Sequence, residues 1–350
     1  MAYDPFVRGG FPVGVCTIRA TDASRGRNFA VEVWYPATAR HAGQDSAPGA
    51  NDVFTSAAGG PQRIQLAVRD AEPHPGNYPL ILFSHASGHH RRGATFLCTH
   101  LGSHGYLVAA MDHSEVVAQD LARRDSETPE QRAKRIQAVI GSRVPDVRFL
   151  IELLLGGIPG QPSIRLDSER IGIAGHSFGG WTALAAPEVE PRIQAIVALA
   201  PGGSSRPKPG ILPGKLTFDW GRDVPTLYLV AEDDIYLPLA GMHELFERTP
   251  GTKQMFVLRR ADHGHFMDCV EEEHEAARKL PWSGELAWIA KEIRPITEFC
   301  SGEQAHLFAR GLALAHFDAS LREDAEARRY LSSDVVAELA ARGVNATDRH

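Results

Sequence analysis

The chain has 350 residues, 43% of them hydrophobic and 23% charged, and 37 Lys and Arg against 43 Asp and Glu leave a formal net charge of −6. That length supports a single α/β domain with an ample core, and the acidic balance leaves no basic footprint for nucleic acid. No stretch reaches the roughly 18 apolar residues of a membrane span, and the opening "MAYDPFVRGGFPVG" lacks the charged-then-apolar pattern of an export signal. The expected compartment is the cytoplasm, or the cell exterior if a leader has been removed.

Eight strand-like runs follow one another along the chain: Val13–Arg19, Phe29–Tyr35, Leu80–Ser84, Tyr106–Met111, Arg170–Ala174, Ala195–Leu199, Thr226–Val230 and Gln254–Leu258. The first two alternate apolar and polar residues across "TDASRGRN" and predict an antiparallel pair. The later runs are short and continuously apolar, as parallel strands covered on both faces require. Helical patterns fall between them. "PDVRFLIELLL" predicts a helix beginning at Pro145, with Val147, Leu150, Ile151 and Leu154 on one face. The alternation implies an α/β fold with a mostly parallel, eight-stranded sheet and helices on both faces. Three segments stand outside the repeat: the Gly/Pro/Ala-rich 51–77, an excursion before the third strand; the polar, helix-prone 113–144; and the Gly- and Pro-rich 201–223. The last two leave the edge of the sheet where ligands bind, and are candidates for pocket walls or lids. From 301 to 350 the pattern is helical, with Leu314, Phe317 and Leu321 on one face and Ser333 and Gly343 bracketing a last helix. The predicted organisation is one domain over 1–350 with a C-terminal helical extension from about 301.

The fifth run ends in "RIGIAGHSFGGW", in which an apolar strand meets a serine set among three glycines. A side chain presented on so sharp a strand-to-helix turn needs small neighbours, because a Cβ there strikes adjacent backbone. Ser177 is thereby placed at a helix N-terminus, where backbone N–H groups favour developing negative charge. A hydroxyl needs a base to become a nucleophile, and the base needs an orienting acid. "PTLYLVAEDDIYLP" ends the seventh strand in Glu232, Asp233 and Asp234, and "KQMFVLRRADHGHF" ends the eighth in His263 and His265. Acid and base thus follow the serine in order, each just past a strand. Acyl transfer also needs two N–H donors for an oxyanion. Phe178, next after the serine, is one candidate; Ser87, in "LFSHASGHHRRG" after the third strand, is the other. Trp181, Trp220 and His265 are candidate pocket residues.

Other chemistries are less well served. His85 and His89, and His100 and His104, are spaced like metal ligands on a helix, but the first pair lies in a Gly-containing loop and no H-E-x-x-H carboxylate accompanies either. They read as structural or pocket histidines, and no metal or cofactor is expected. Cys16, Cys98, Cys269 and Cys300 form no C-x-x-C pair and read as free thiols, with Cys269 and Cys300 able to pair only in an exported protein. A catalytically dead binding protein would be expected to lack one of the three groups, and none is lacking. A peptidase or acyltransferase would use the same groups on another acceptor, and no internal repeat is present to restrict access to peptides.

Taken together, "TDASRGRNFAVEVWYPA", "PLILFSHASGHHRRGATFLCTHLGSHGYLVAAMDH", "SRVPDVRFLIELL", "RIGIAGHSFGGWTAL" and "VPTLYLVAEDD" resemble α/β-hydrolases of the platelet-activating-factor acetylhydrolase and predicted dienelactone hydrolase group. The oxyanion loop reads His85-Ala86-Ser87-Gly88 where His-Gly is usual, and Ser177 stands where dienelactone hydrolases proper use cysteine. The resemblance implies a cofactor-independent carboxylic-ester hydrolase for a small-molecule ester of small or medium acyl group, with polyesters and lactones as alternatives. It also implies Asp234 as the acid, through the D-x-x-x-P run shared with cutinase-like esterases, with Asp233 as competitor. His263, directly after Ala261-Asp262, is implied as the base, and His265 as its neighbour.

Overall fold

The alternation in the first run becomes a strand buried on one side. In the computed structural model, which describes residues 3–55, 60–115, 124, 126–161 and 163–349, β1 (Val13–Asp22) buries Ile18 and Ala20 while Thr17, Arg19 and Thr21 face solvent. It pairs antiparallel with β2 (Arg27–Pro36) from Val13 opposite Pro36 to Asp22 opposite Arg27. The described residues divide into two compact units, one holding Arg8–Ala174 and Val189–Gln194, the other Met1–Val7, Gly175–Glu188 and Ala195–His350.

In the first unit, β3 (Asp52–Thr55) and β4 (Gln62–Gln65) form a separate antiparallel hairpin. β5 (Val68–Arg69) adds parallel to β1 at an edge. Strands β6 (Gly76–Ser84) and β7 (Leu107–Met111) pair parallel, and β2 joins β7 antiparallel. With β8 (Ile164–His176), whose last two residues pass into the other unit, the order is β5-β1-β2-β7-β6-β8. Segment 51–77, expected only as an excursion, thus supplies three short strands; 56–59 within it lie outside the described residues.

The helix expected to start at Pro145 instead runs Pro129–Leu155 and carries Pro145 in its interior. Its start is specified by a capping box, with Thr128 accepting from the Gln131 N–H and the Gln131 side chain returning to the Thr128 N–H, and by Pro129 in the first turn. Sixteen residues further on, Pro145 withdraws a single N–H from a helix already propagated and packed, which the long element tolerates. Val147, Leu150, Ile151 and Leu154 are buried as expected, but Arg143 and Asp146 are buried with them. Of 113–144, residues 116–123 and 125 lie outside the described residues.

With β9 (Ile193–Leu199), whose first two residues belong to the first unit, the order in the second unit is β9, β10 (Thr226–Ala231), β11 (Lys253–Leu258), β12 (Ala346–Arg349). β9, β10 and β11 are parallel, and every residue of β10 is buried, which is why its sequence shows no alternation. β12 closes the edge antiparallel to β11, so the C-terminal extension is not wholly helical. Among the described residues ten strands therefore occupy the place of the eight expected, the extra two being the short edge strands β5 and β12. Helix Gly302–Leu321 starts from a Ser301–Gln304 capping box and buries Leu314, Phe317 and Leu321, while His316 Nε2 donates to the Pro225 carbonyl at 3.1 Å. The last helix, Val335–Ala341, is capped by Asp334 rather than Ser333. No helix among the described residues is long and apolar enough to cross a membrane.

Candidate active site

Everything nearest Ser177 follows from the close quarters of the strand-to-helix turn. Ser177 sits between β8 and helix Phe178–Ala185 with φ 58° and ψ −116°, a strained backbone that turns its side chain out of the helix. A Cβ on Gly175 would lie 2.1 Å from the Gly179 carbonyl oxygen, and one on Gly180 would lie 2.8 Å from Cα of Pro201. The turn is also pinned by hydrogen bonds. The Ser177 N–H donates to Leu199 O at 2.9 Å, and Ser177 O accepts from the N–H groups of Trp181 at 3.0 Å and Gly202 at 2.8 Å. Phe178 begins the helix, and its ring stacks on Trp181 with centroids 5.1 Å apart.

Past β10, the chain turns around the Asp234 carboxylate. Oδ1 accepts from the N–H groups of Tyr236 and Leu237, both at 2.8 Å, and Oδ2 meets Nδ1 of His263 at 2.6 Å. The neighbouring acids point elsewhere: Asp233 pairs with Arg294 at 2.9 Å, and Glu232 with Arg259 at 2.8 Å. His263 opens the short 3-10 turn His263–Phe266, its side chain 13% exposed. Burial pulls its pKa down, but the Asp234 carboxylate outweighs that and holds it above the ordinary value. Tyr236 lies beside the ring at a centroid distance of 5.3 Å. His176, just before Ser177, donates from Nε2 to the His263 carbonyl at 3.0 Å.

His265 is fully enclosed. Its Nδ1 faces Asp262 Oδ1 at 3.0 Å and its Nε2 faces the Cys300 carbonyl at 3.2 Å, so neither nitrogen is available to a hydroxyl or to a ligand. Trp181 and Trp220 are also buried, and their indole N–H groups donate to Lys215 O at 3.0 Å and Leu184 O at 3.1 Å. These bonds tie segment 201–223 to the helix after Ser177. None of the four cysteines forms a disulfide.

Ser87 belongs to the first unit, on a loop after β6 that is held by a buried polar cluster. His85 O accepts from Arg143 at 2.7 Å, the Gly88 N–H donates to Glu115 O at 3.2 Å, and the His113 N–H donates to His85 Nε2 at 3.0 Å. Arg143 itself pairs with Glu115, its Nε 2.7 Å from Oε1, with both side chains fully buried. Asp146 accepts from His113 at 2.8 Å and from Arg25 at 2.7 Å, and burial lifts its carboxyl to about 6 against the pull of Arg27 and Arg25. Burial likewise drives the His85 and His113 rings well below the usual value, so both are neutral.

Comparison with known proteins agrees with this architecture. A ferulic acid esterase from Streptomyces cinnamoneus superposes with a TM-score of 0.64 over 90% of this chain and 91% of its own, at 24% sequence identity. The fold is that of an α/β-hydrolase. Within that fold, residues 51–140 match the family model for platelet-activating factor acetylhydrolase, isoform II. The platelet-activating factor acetylhydrolase of Cavia porcellus is 29% identical over 160 residues, which is 35% of each chain. Cutinase est1 of Thermobifida alba is 24% identical over 213 residues, 60% of each chain. The hydrolase-fold chain therefore spans about a third of the length of that acetylhydrolase and three fifths of that cutinase, and it resembles the acetylhydrolase-like group as its motifs imply. Sequence reasoning missed Arg143, Glu115, His113 and Asp146. The available signal was an arginine and an aspartate, three residues apart, on the otherwise apolar face of a helix.

Proposed function

We propose that this chain is a serine carboxylic-ester hydrolase that works through an acyl-enzyme on Ser177. The observation that carries the reading is the 2.6 Å bond between Asp234 and His263, in the same unit as a serine held at a strained strand-to-helix turn. Ser177 Oγ attacks the ester carbonyl carbon as its proton passes to Nε2 of His263. Asp234 fixes the Nδ1–H tautomer and stabilises the imidazolium that forms. Collapse of the tetrahedral intermediate breaks the bond to the alcohol, which leaves with the proton from His263. Water, deprotonated by the same ring, then attacks the acyl carbon and frees Ser177. The Phe178 N–H at the helix start is one oxyanion donor, supported by its position next to the nucleophile; the Ser87 N–H is the second, supported by the loop's sequence pattern. The similarity to enzymes named as acetylhydrolase, cutinase and ferulic acid esterase supports small or medium acyl esters. Because the cutinase likeness covers more of the chain than the acetylhydrolase likeness, polyesters are the second substrate class.

The test is labelling with a fluorophosphonate, with the adduct mapped by mass spectrometry, alongside hydrolysis of p-nitrophenyl acetate, butyrate and octanoate and of a peptide amide. The expected result is a Ser177 adduct, ester turnover well above amide turnover, and loss of both adduct and turnover in a folded Ser177→Ala variant. Full activity in that variant would refute the assignment, and a wild-type chain without adduct would be a binding protein.

A further inference from the structure

Beside His263 lies a second carboxylate that the ester-hydrolase mechanism does not use. Asp262 Oδ1 accepts from the Gly264 N–H at 3.0 Å and meets Nδ1 of His265 at 3.0 Å, while Oδ2 meets Nδ1 of His274 at 3.0 Å. The far nitrogen of each ring faces a main-chain carbonyl: His265 Nε2 the carbonyl of Cys300 at 3.2 Å, and His274 Nε2 that of Arg294 at 2.8 Å. Carboxylate and carbonyl oxygens only accept, so a ring with one at each nitrogen donates to both only when it carries a proton on both. The Asp262 N–H also points at His265 Nδ1 at 3.0 Å, a bond the ring accepts only when that nitrogen is unprotonated, whereas Asp262 Oδ1 at the same distance favours a proton there. The shared carboxylate and the carbonyls at the far nitrogens favour the imidazolium form of both rings. The side chains of His265, Asp262 and His274 are 0%, 4% and 2% exposed, so little solvent screens the pair of charges. Phe299 covers the cluster, meeting both rings edge-on at 5.5 and 5.4 Å, with the Arg294 guanidinium 4.6 Å from its own centroid.

The consequence is mechanical. His263 stands between two anchors: its carbonyl is held by His176, and the residues on either side of it are held by the Asp262 carboxylate and the Gly264 N–H. Through His274 and the carbonyls of 294 and 300, that carboxylate joins the 3-10 turn to helix Val270–Arg278 and to the segment that follows it. We propose that Asp262, clamped between the His265 and His274 imidazolium rings, is the positioning residue that holds the turn carrying His263. It touches no reacting atom and acts through the backbone of the base, and its role rests on the ester-hydrolase reading above. The charge states agree with the bond inventory. Burial works against the charged form of each ring, yet the hydrogen bond to Asp262 outweighs it, pushing His265 up to about 10 and raising His274. Burial would likewise lift the Asp262 carboxyl, and its two histidine partners instead hold it far below the usual carboxylate range.

Asp262→Asn keeps an acceptor for the Gly264 N–H and removes the shared charge, so it is the variant of choice. Active sites are counted by fluorophosphonate titration, and kcat per titrated site and KM are measured with p-nitrophenyl butyrate. The expected result is a fall in kcat of about 10- to 100-fold with KM within twofold, because a base displaced by a fraction of an ångström loses rate rather than ground-state binding. His274→Gln, which leaves the Asp262–His265 pair in place, should fall less. A merely structural role would lower the number of titrated sites and the melting temperature but leave kcat per site within twofold, and that result would overturn the proposal. A second arm needs no turnover: side-chain 15N spectra at pH 8 should show His265 protonated on both nitrogens, His274 should lose its second proton only above the ordinary histidine range, and the His263 Nδ1–H resonance should shift in Asp262→Asn. Neutral rings in the wild-type protein, or a His263 resonance unmoved by the substitution, would also overturn it. Failure of the wild-type chain to hydrolyse any ester would count against the ester-hydrolase reading alone, and the spectra would still decide the clamp.

Discussion

The imidazole of His176 donates from Nε2 to the main-chain carbonyl of His263 at 3.0 Å, with the two rings 4.7 Å apart. The residue before the proposed nucleophile thus holds the backbone of the proposed base. One bond links the end of β8 to the turn beyond β11, across 87 residues of sequence. His176 is 2% exposed, so water does not replace the bond if it is lost.

His176→Phe preserves the ring and removes the donor. The expected outcome is a drop in kcat of about tenfold or more with little change in KM, since a small displacement of the base is felt in the transition state rather than in binding. Steady-state kinetics on p-nitrophenyl butyrate, normalised to titrated sites, provide the check.

A base must be neutral to take a proton, and the His263 pKa lies above its ordinary value because Asp234 outweighs burial. The kcat/KM profile should therefore rise with pH through a midpoint above about 6.5, the unperturbed histidine value. Asp234→Asn should cut kcat by about 10⁴-fold through the wrong ring tautomer, and should move the midpoint of the residual activity downward. A profile flat from pH 5 to 9 in the wild-type enzyme would contradict this role for His263.

Arg143 carries its charge into a fully buried site where Glu115 is its ion-pair partner and the His85 carbonyl one of its acceptors. Arg143→Met strands the Glu115 carboxylate and frees the loop that holds Ser87. Removal of one partner from a buried pair costs about 3–5 kcal/mol, which urea denaturation would register directly. Arg143→Met combined with Glu115→Leu should recover most of that stability. It should not recover full activity, because the carbonyl of His85 still lacks the Arg143 donor.

The cluster on Asp262 also sets a pH window for stability. A histidine whose pKa rises on folding contributes stability that is complete below its unfolded value and is lost as pH climbs through its folded value. For His265 that window runs from about 6.5 up to about 10. Melting temperature should therefore decline steadily between pH 7 and 10, and the decline should be shallower in Asp262→Asn. The Asp262 carboxylate has the opposite sign: its contribution is in place above the ordinary carboxylate pKa and is lost as the solution is acidified.

The amino-acid sequence alone determined the eight main strands and the order of chemical groups. The positions of the eight main strands followed from alternation in β1 and continuous burial in the parallel strands, because burial on one or both faces is written into a period of two. The serine turn was legible for a similar reason, since Gly175 and Gly180 beside Ser177 answer a local demand for space. The arrival of carboxylates and then histidines at later strand ends could be read without any coordinates. Elements governed by distant partners could not. Pro145 looked like a helix start because the Thr128 capping box that begins the helix lies 17 residues earlier, and β12 looked helical because its only reason to be a strand is the open edge of β11. Which of two adjacent aspartates meets His263, and why His265 is sealed away, depended on where Arg294 and Cys300 come to rest. Tertiary structure alone decided these questions, because a hydrogen bond selects its partner by distance in space, and neighbouring residues of one type are indistinguishable until the chain has folded around them.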